Sequence, residues 1–224
     1  MNLITSQSPG VRELFSLEGL TKPGWEPAGP GDIDFIPSER FPALIALINE
    51  TDGPVEKTLR NETAIYLTYW GHEEGVNYIE AEVSAPPGER SSTHLHRMVS
   101  FDITPEIYMR ALMGYWAIKA DMDDGVAAAN LVRPALSKII KLAHTEQFDI
   151  TSIFDMHLND FYIGKRIFTD SSIFQDYLCA MLDQRDSGRQ MYKPKEVVRF
   201  FKVYDPDFLK QELETRGFSL REFE

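Results

Sequence analysis

Two stretches of this chain repeat apolar residues at helical spacing, and each leaves an apolar face that something else must cover. In "TPEIYMRALMGYW", residues 104–116, Ile107, Tyr108, Ala111, Leu112, Tyr115 and Trp116 share one face. Thr104 supplies an N-cap, Pro105 the first helical position and Glu106 a charge at the positive end of the helix dipole. After "DMDDG" (121–125), Ala128, Leu131, Val132, Ala135, Leu136, Ile139, Ile140 and Ala143 continue the same period, and Pro134 predicts a kink or a fresh start. Two such helices need each other or a sheet.

The segments before them read as that sheet. "TAIYLTYWG" (63–71) is β-branched and aromatic, and "NYIEAEVSA" (77–85) alternates, with Ile79, Ala81, Val83 and Ala85 on one face. "HLHRMVSFDI" (94–103) alternates too, setting Leu95, Val99, Phe101 and Ile103, with Arg97 as the exception, against His94, His96, Met98, Ser100 and Asp102. Further on, "FYIGKRIF" (161–168) and "EVVRFFKVYD" (196–205) read as strands. The stripe Phe174, Tyr177, Leu178 and Met181 reads as a helix, as does "PDFLKQELETRG", capped by Asp205 and ended by Gly217. The expected fold is therefore α+β, an antiparallel meander covered by helices. The sequence strand, cap, proline, helix occurs twice, which is compatible with ferredoxin-like halves or a dimeric α+β-barrel arrangement.

Five of the thirteen prolines lie between Pro23 and Pro42, so residues 1–42 are expected to form an N-terminal arm. Trp25, Phe35 and Ile36 would pack it on the body or on a dimer partner, residues 43–224 forming a single domain that begins with a short buried helix at "PALIALIN". No apolar run approaches the roughly 20 residues of a membrane span, and the first residues lack the pattern of a leader. A soluble, cytoplasmic protein with no membrane partner is expected. The single cysteine, Cys179, cannot form an internal disulfide. A net charge of -12 repels phosphate backbones, so nucleic acid is not an expected partner, whereas a small-molecule ligand or a second copy of the chain is.

The sharpest candidate site follows from pairing the second and third strands. In the register that matches their apolar faces, Val83 faces Leu95 and Ile79 faces Val99, while on the other side Ser84 faces His94 and Glu82 faces His96. His94, His96 and Glu82 then have the composition of a divalent-metal site for iron, zinc or manganese, with Asp102 or Glu80 as an alternative carboxylate. Without metal, Glu82 would raise the pKa of an imidazole acting as a general acid or base. As an ordinary half-solvated contact, Glu82 with His96 would contribute only ~0.2–1 kcal/mol.

Gly88, five residues, then His94-Leu95-His96 resembles the first half of the first cupin motif, over about a tenth of the chain. The glutamate that motif implies would fall at Ser100 or Phe101, and no second motif occurs around His144 or His157, so neither the barrel nor its ligand set carries over. Tyr66, Tyr69, Trp70, Tyr115 and Trp116 could line an apolar substrate pocket. Asp155, His157 and Asp160 in "DMHLND" read as a polar turn or strand face, "DMDDG" lacks the spacing of a calcium loop, and Cys179 has no base nearby in sequence. Phosphate-loop, dinucleotide, serine-elbow and zinc-helix signatures do not occur. The sequence thus suggests a small-molecule biosynthetic tailoring enzyme, a cyclase, isomerase or oxygenase, acting on an aromatic or hydrophobic metabolite. The alternative is a non-catalytic ligand-binding or protein-interaction protein, expected to be dimeric.

Overall fold

The computed structural model describes residues 13–15, 36–49, 54–91, 102–159, 166–170, 172–186 and 194–223. Among them the regular structure is helical. The elements are α1 (Phe41–Asn49), α2 (Pro54–Tyr69), α3 (Glu73–Ser84), α4 (Thr104–Asp121), α5 (Gly125–Leu142), α6 (Thr151–Leu158), α7 (Ser172–Asp186), α8 (Pro194–Tyr204) and α9 (Pro206–Thr215), with 3-10 turns at Ser38–Arg40 and Leu220–Phe223. The expected α+β fold is overturned, and with it the meander and the ferredoxin-like or α+β-barrel arrangement. The stretches 63–71, 77–85 and 196–205 fall in α2, α3 and α8 and their edges. Most of 94–103 and of 161–168 lies outside the described residues.

Each correction has a local cause. In α3 the buried positions are Gly75, Val76, Ile79 and Val83, which is helical spacing. Ile79 and Val83 share a face in a helix and in a strand alike, while Ala81, which completed the alternation, is exposed. Glu73 and Glu74 occupy the first turn, where the helix dipole favours negative charge. In α8 the apolar pairs Val197, Val198 and Phe200, Phe201 are all buried, as on the broad face of an amphipathic helix.

The helix α2 shows no stripe because it is covered on most sides. Leu59, Thr63, Ala64, Ile65, Leu67 and Thr68 are buried, since α1, α3 and α4 all pack on it. Its β-branched residues cost helix propensity, and its hydroxyls need partners. The helix itself supplies the latter: Thr63 Oγ1 donates to the Leu59 carbonyl at 2.8 Å and Thr68 Oγ1 to that of Ala64 at 2.7 Å.

The two long helices foreseen from their apolar stripes do cover each other. α4 and α5 form a hairpin joined at residues 122–124, where Asp123 takes a positive φ of 62°. α2 and α3 form the preceding hairpin, and α2 stacks on α4 while α3 stacks on α5, a two-layer array of helix pairs. α7 extends the layer of α3 and α5, and α6, α8 and α9 close the end. α5 runs through Pro134 without a break. The main core joins α2 through α9, including Trp116, Tyr115, Phe154 and Phe201. A second cluster holds Phe15 and Ile36 with Leu44, Ile48, Ala64, Leu67 and Trp70.

Aspartates start several helices. Asp102 Oδ1 accepts from the Thr104 N–H at 2.9 Å and from its Oγ1 at 2.6 Å, and Asp149 Oδ1 accepts the same pair from Thr151 at 2.8 and 2.7 Å. Both lie in the tetrapeptide Phe-Asp-Ile-Thr, at 101–104 and 148–151. Asp205 caps α9 as expected, accepting from Phe208 N–H at 3.2 Å, and Gly217 ends that helix region with a φ of 71°. No described helix is long and apolar enough to cross a membrane.

Candidate functional site

A cleft of about 340 Å³ opens where the C-terminal half of α3, the 85–91 loop, the start of α4 and the α5–α6 connection meet. Its lining includes Glu82, Val83, Gly88, Arg90, Ser91, Asp102, Thr104, Tyr108 and Glu146. The volume lies near the lower end of the range of small-molecule sites.

The charged lining is held in place from several sides. Glu82 Oε2 accepts from Ser91 N–H at 3.0 Å and from Ser91 Oγ at 2.6 Å, and Lys57 Nζ stands 3.6 Å from Glu82 Oε1. Arg90 Nη2 donates to Glu146 Oε1 at 2.7 Å, tying the 85–91 loop to the end of the α5 region. Asp102 Oδ1 is occupied by the Thr104 contacts that start α4. These bonds bring rigid charged walls together around an open volume.

Tyr108 is the exception. Its residue is 2% exposed, and its hydroxyl has no hydrogen-bond partner among the described residues. Burial, and then the negative charges of Glu82 and Asp102 with the neighbouring Tyr78, push its pKa far above the usual phenol range. Tyr108 itself is part of the cleft lining. An unpaired buried hydroxyl is costly, so native interiors rarely contain one.

The residues nominated from sequence divide. Glu82 and Asp102 meet in this cleft. Glu82 does so from a helix, so the facing strands that would have set it opposite His96 are not formed. His94 and His96 lie outside the described residues. Glu80 is turned toward α5, where Lys138 Nζ reaches its Oε1 at 3.1 Å and Ser84 Oγ at 2.6 Å. Among the described residues no group of three His, Cys, Asp or Glu side chains could hold a metal ion.

The aromatic residues do not form one wall. Tyr66 and Trp70 sit in the second cluster with ring centroids 5.4 Å apart, Tyr69 packs against both clusters, and Tyr115 and Trp116 are buried in the main core. Trp116 borders a void of about 10 Å³ beside His157 and Arg166, too small for a metabolite. His157 is buried among Phe174, Phe200 and Tyr204, and desolvation followed by the Arg166 charge lowers its pKa to about 4. Asp155, on the same helix, is exposed. Cys179 Sγ donates to Glu212 Oε2 at 3.4 Å, and burial together with that carboxylate pushes the thiol up to about 11, away from nucleophilic use.

Tyr108, Ser91 and the Arg90–Glu146 pair were missed as site residues. Tyr108 sits inside the apolar stripe of α4, where nothing in the sequence separates a core tyrosine from one facing a cavity. Comparison of the chain with family models, curated proteins and solved structures gives no match.

Proposed function

We propose that this chain is a non-catalytic binding protein whose ligand enters the cleft between Glu82, Asp102 and Tyr108. The strand pairing that would set Glu82 opposite His96 is not formed, since Glu82 lies on the helix α3. The observation that carries binding is the buried Tyr108 hydroxyl without a partner, beside a volume large enough for a small polar molecule or a side chain of a partner protein. A ligand group that completes that hydrogen bond offsets the cost of burying the hydroxyl.

The test is amide NMR of the wild type and of Tyr108→Phe against a set of small polar fragments. Binding should perturb residues 82–91 and 102–108 in the wild type and weaken in the variant. Fragments that bind elsewhere, or that bind the variant equally well, would remove the assignment.

A further inference from the structure

Resting on that assignment, we propose that the cleft selects a small organic cation, an ammonium or amidinium group on a compact apolar body. Among the described residues the lining contributes the carboxylates of Glu82, Asp102 and Glu146 and one cation, Arg90. Lys57 reaches Glu82 from outside the lining, at 3.6 Å. Both cations are already committed, Arg90 to Glu146 at 2.7 Å and Lys57 to Glu82 and to the Glu89 carbonyl. The uncompensated negative charge therefore falls on Asp102.

Asp102 has its Oδ1 taken by the Thr104 N–H and hydroxyl, which are neutral donors. Among the described residues no lysine, arginine or histidine forms an ion pair with it. Its second oxygen and the oxygen of Tyr108, both residues of the lining, are acceptors for N–H groups such as those of a ligand ammonium. The upward push on the Tyr108 hydroxyl by Glu82 and Asp102 shows the same negative field from the protein's side. Among the described residues, an anion would meet that field with no uncommitted cation in the lining to receive it. Val83, Pro105 and Leu142 supply the apolar wall for the rest of the ligand.

Three probes of matched size separate the possibilities: benzylamine, benzyl alcohol and benzoate, titrated into the full chain with amide shifts as readout. Benzylamine should bind at residues 82–91 and 102–108 at least ~10-fold more tightly than the alcohol, and benzoate should not bind there. Asp102→Asn, which keeps an oxygen for Thr104, should weaken benzylamine ~10-fold and the alcohol much less, with folding verified by circular dichroism. Preference for benzoate or benzyl alcohol, or benzylamine binding unaffected by Asp102→Asn, overturns the cation selectivity while the binding cleft stands. No shift at these residues from any probe overturns the cleft assignment itself.

Discussion

Gly75 of α3 lies against Thr68 of α2 so closely that a Cβ on it would stand 2.6 Å from the Thr68 backbone nitrogen and equally near the Ala64 carbonyl oxygen. The contact is with backbone, which cannot rotate aside. It brings the two helices together near the turn between them, and so sets how α3 carries Glu82 to the cleft.

Gly75→Ala should therefore destabilise the protein despite the ~1 kcal/mol that alanine gains over glycine in a helix. Overpacking of this kind costs ~1–3 kcal/mol, or more where backbone must move. A urea midpoint lowered at unchanged slope is the expected result. A raised midpoint would show that the helices can separate at no cost.

His157 should make the protein acid-sensitive. Its pKa is about 4 when folded against an ordinary 6.5, so between these values the unfolded chain binds a proton that the native state does not. Stability contributed by the neutral ring is complete above pH 6.5 and falls as the pH drops toward 4, by up to ~3 kcal/mol. His157→Phe removes both the titration and an imidazole nitrogen that has no partner, in a site already lined by rings. Thermal melts should show the variant at least as stable at pH 7 and flatter between pH 6.5 and 4. Parallel melting curves for the two proteins would refute this.

Asp205 joins two helices as well as capping one, since its second oxygen accepts from Gln175 Nε2 at 2.9 Å. Asp205→Ala should cost ~1–2 kcal/mol and Asp205→Asn much less, measured by chemical denaturation. Equal losses would mean that charge, and not the hydrogen bonds, is what matters.

The Arg90–Glu146 pair is part-exposed, so its worth is small. A double-mutant cycle with Arg90→Gln and Glu146→Gln should give a coupling of ~0.2–1 kcal/mol that fades in 1 M salt. A coupling that survives high salt would place the pair in a drier setting than its exposure indicates.

Helix ends and stripes could be read along the chain because their causes are local. Pro105 in the first turn of α4, the Asp205 cap, Gly217 and the apolar faces of α4, α5 and α7 depend on residues within a few positions of one another. Thr104, expected as the N-cap, is instead the first helical residue, and Ile103 stands at the cap position. Only tertiary packing decided the segments called strands. Ile79 and Val83 point the same way in either conformation, and α3 became a helix because Val76 and Gly75 find the surface of α2 while Ala81 faces water. α2 tolerates its β-branched residues because neighbours bury them on most sides, a gain no window along the sequence contains. The candidate site follows the same division. The acidity of Glu82 and Asp102 is written in the sequence. Their meeting beside the unpaired hydroxyl of Tyr108 arises only when α3 and α4 pack, because it joins residues that share no local period.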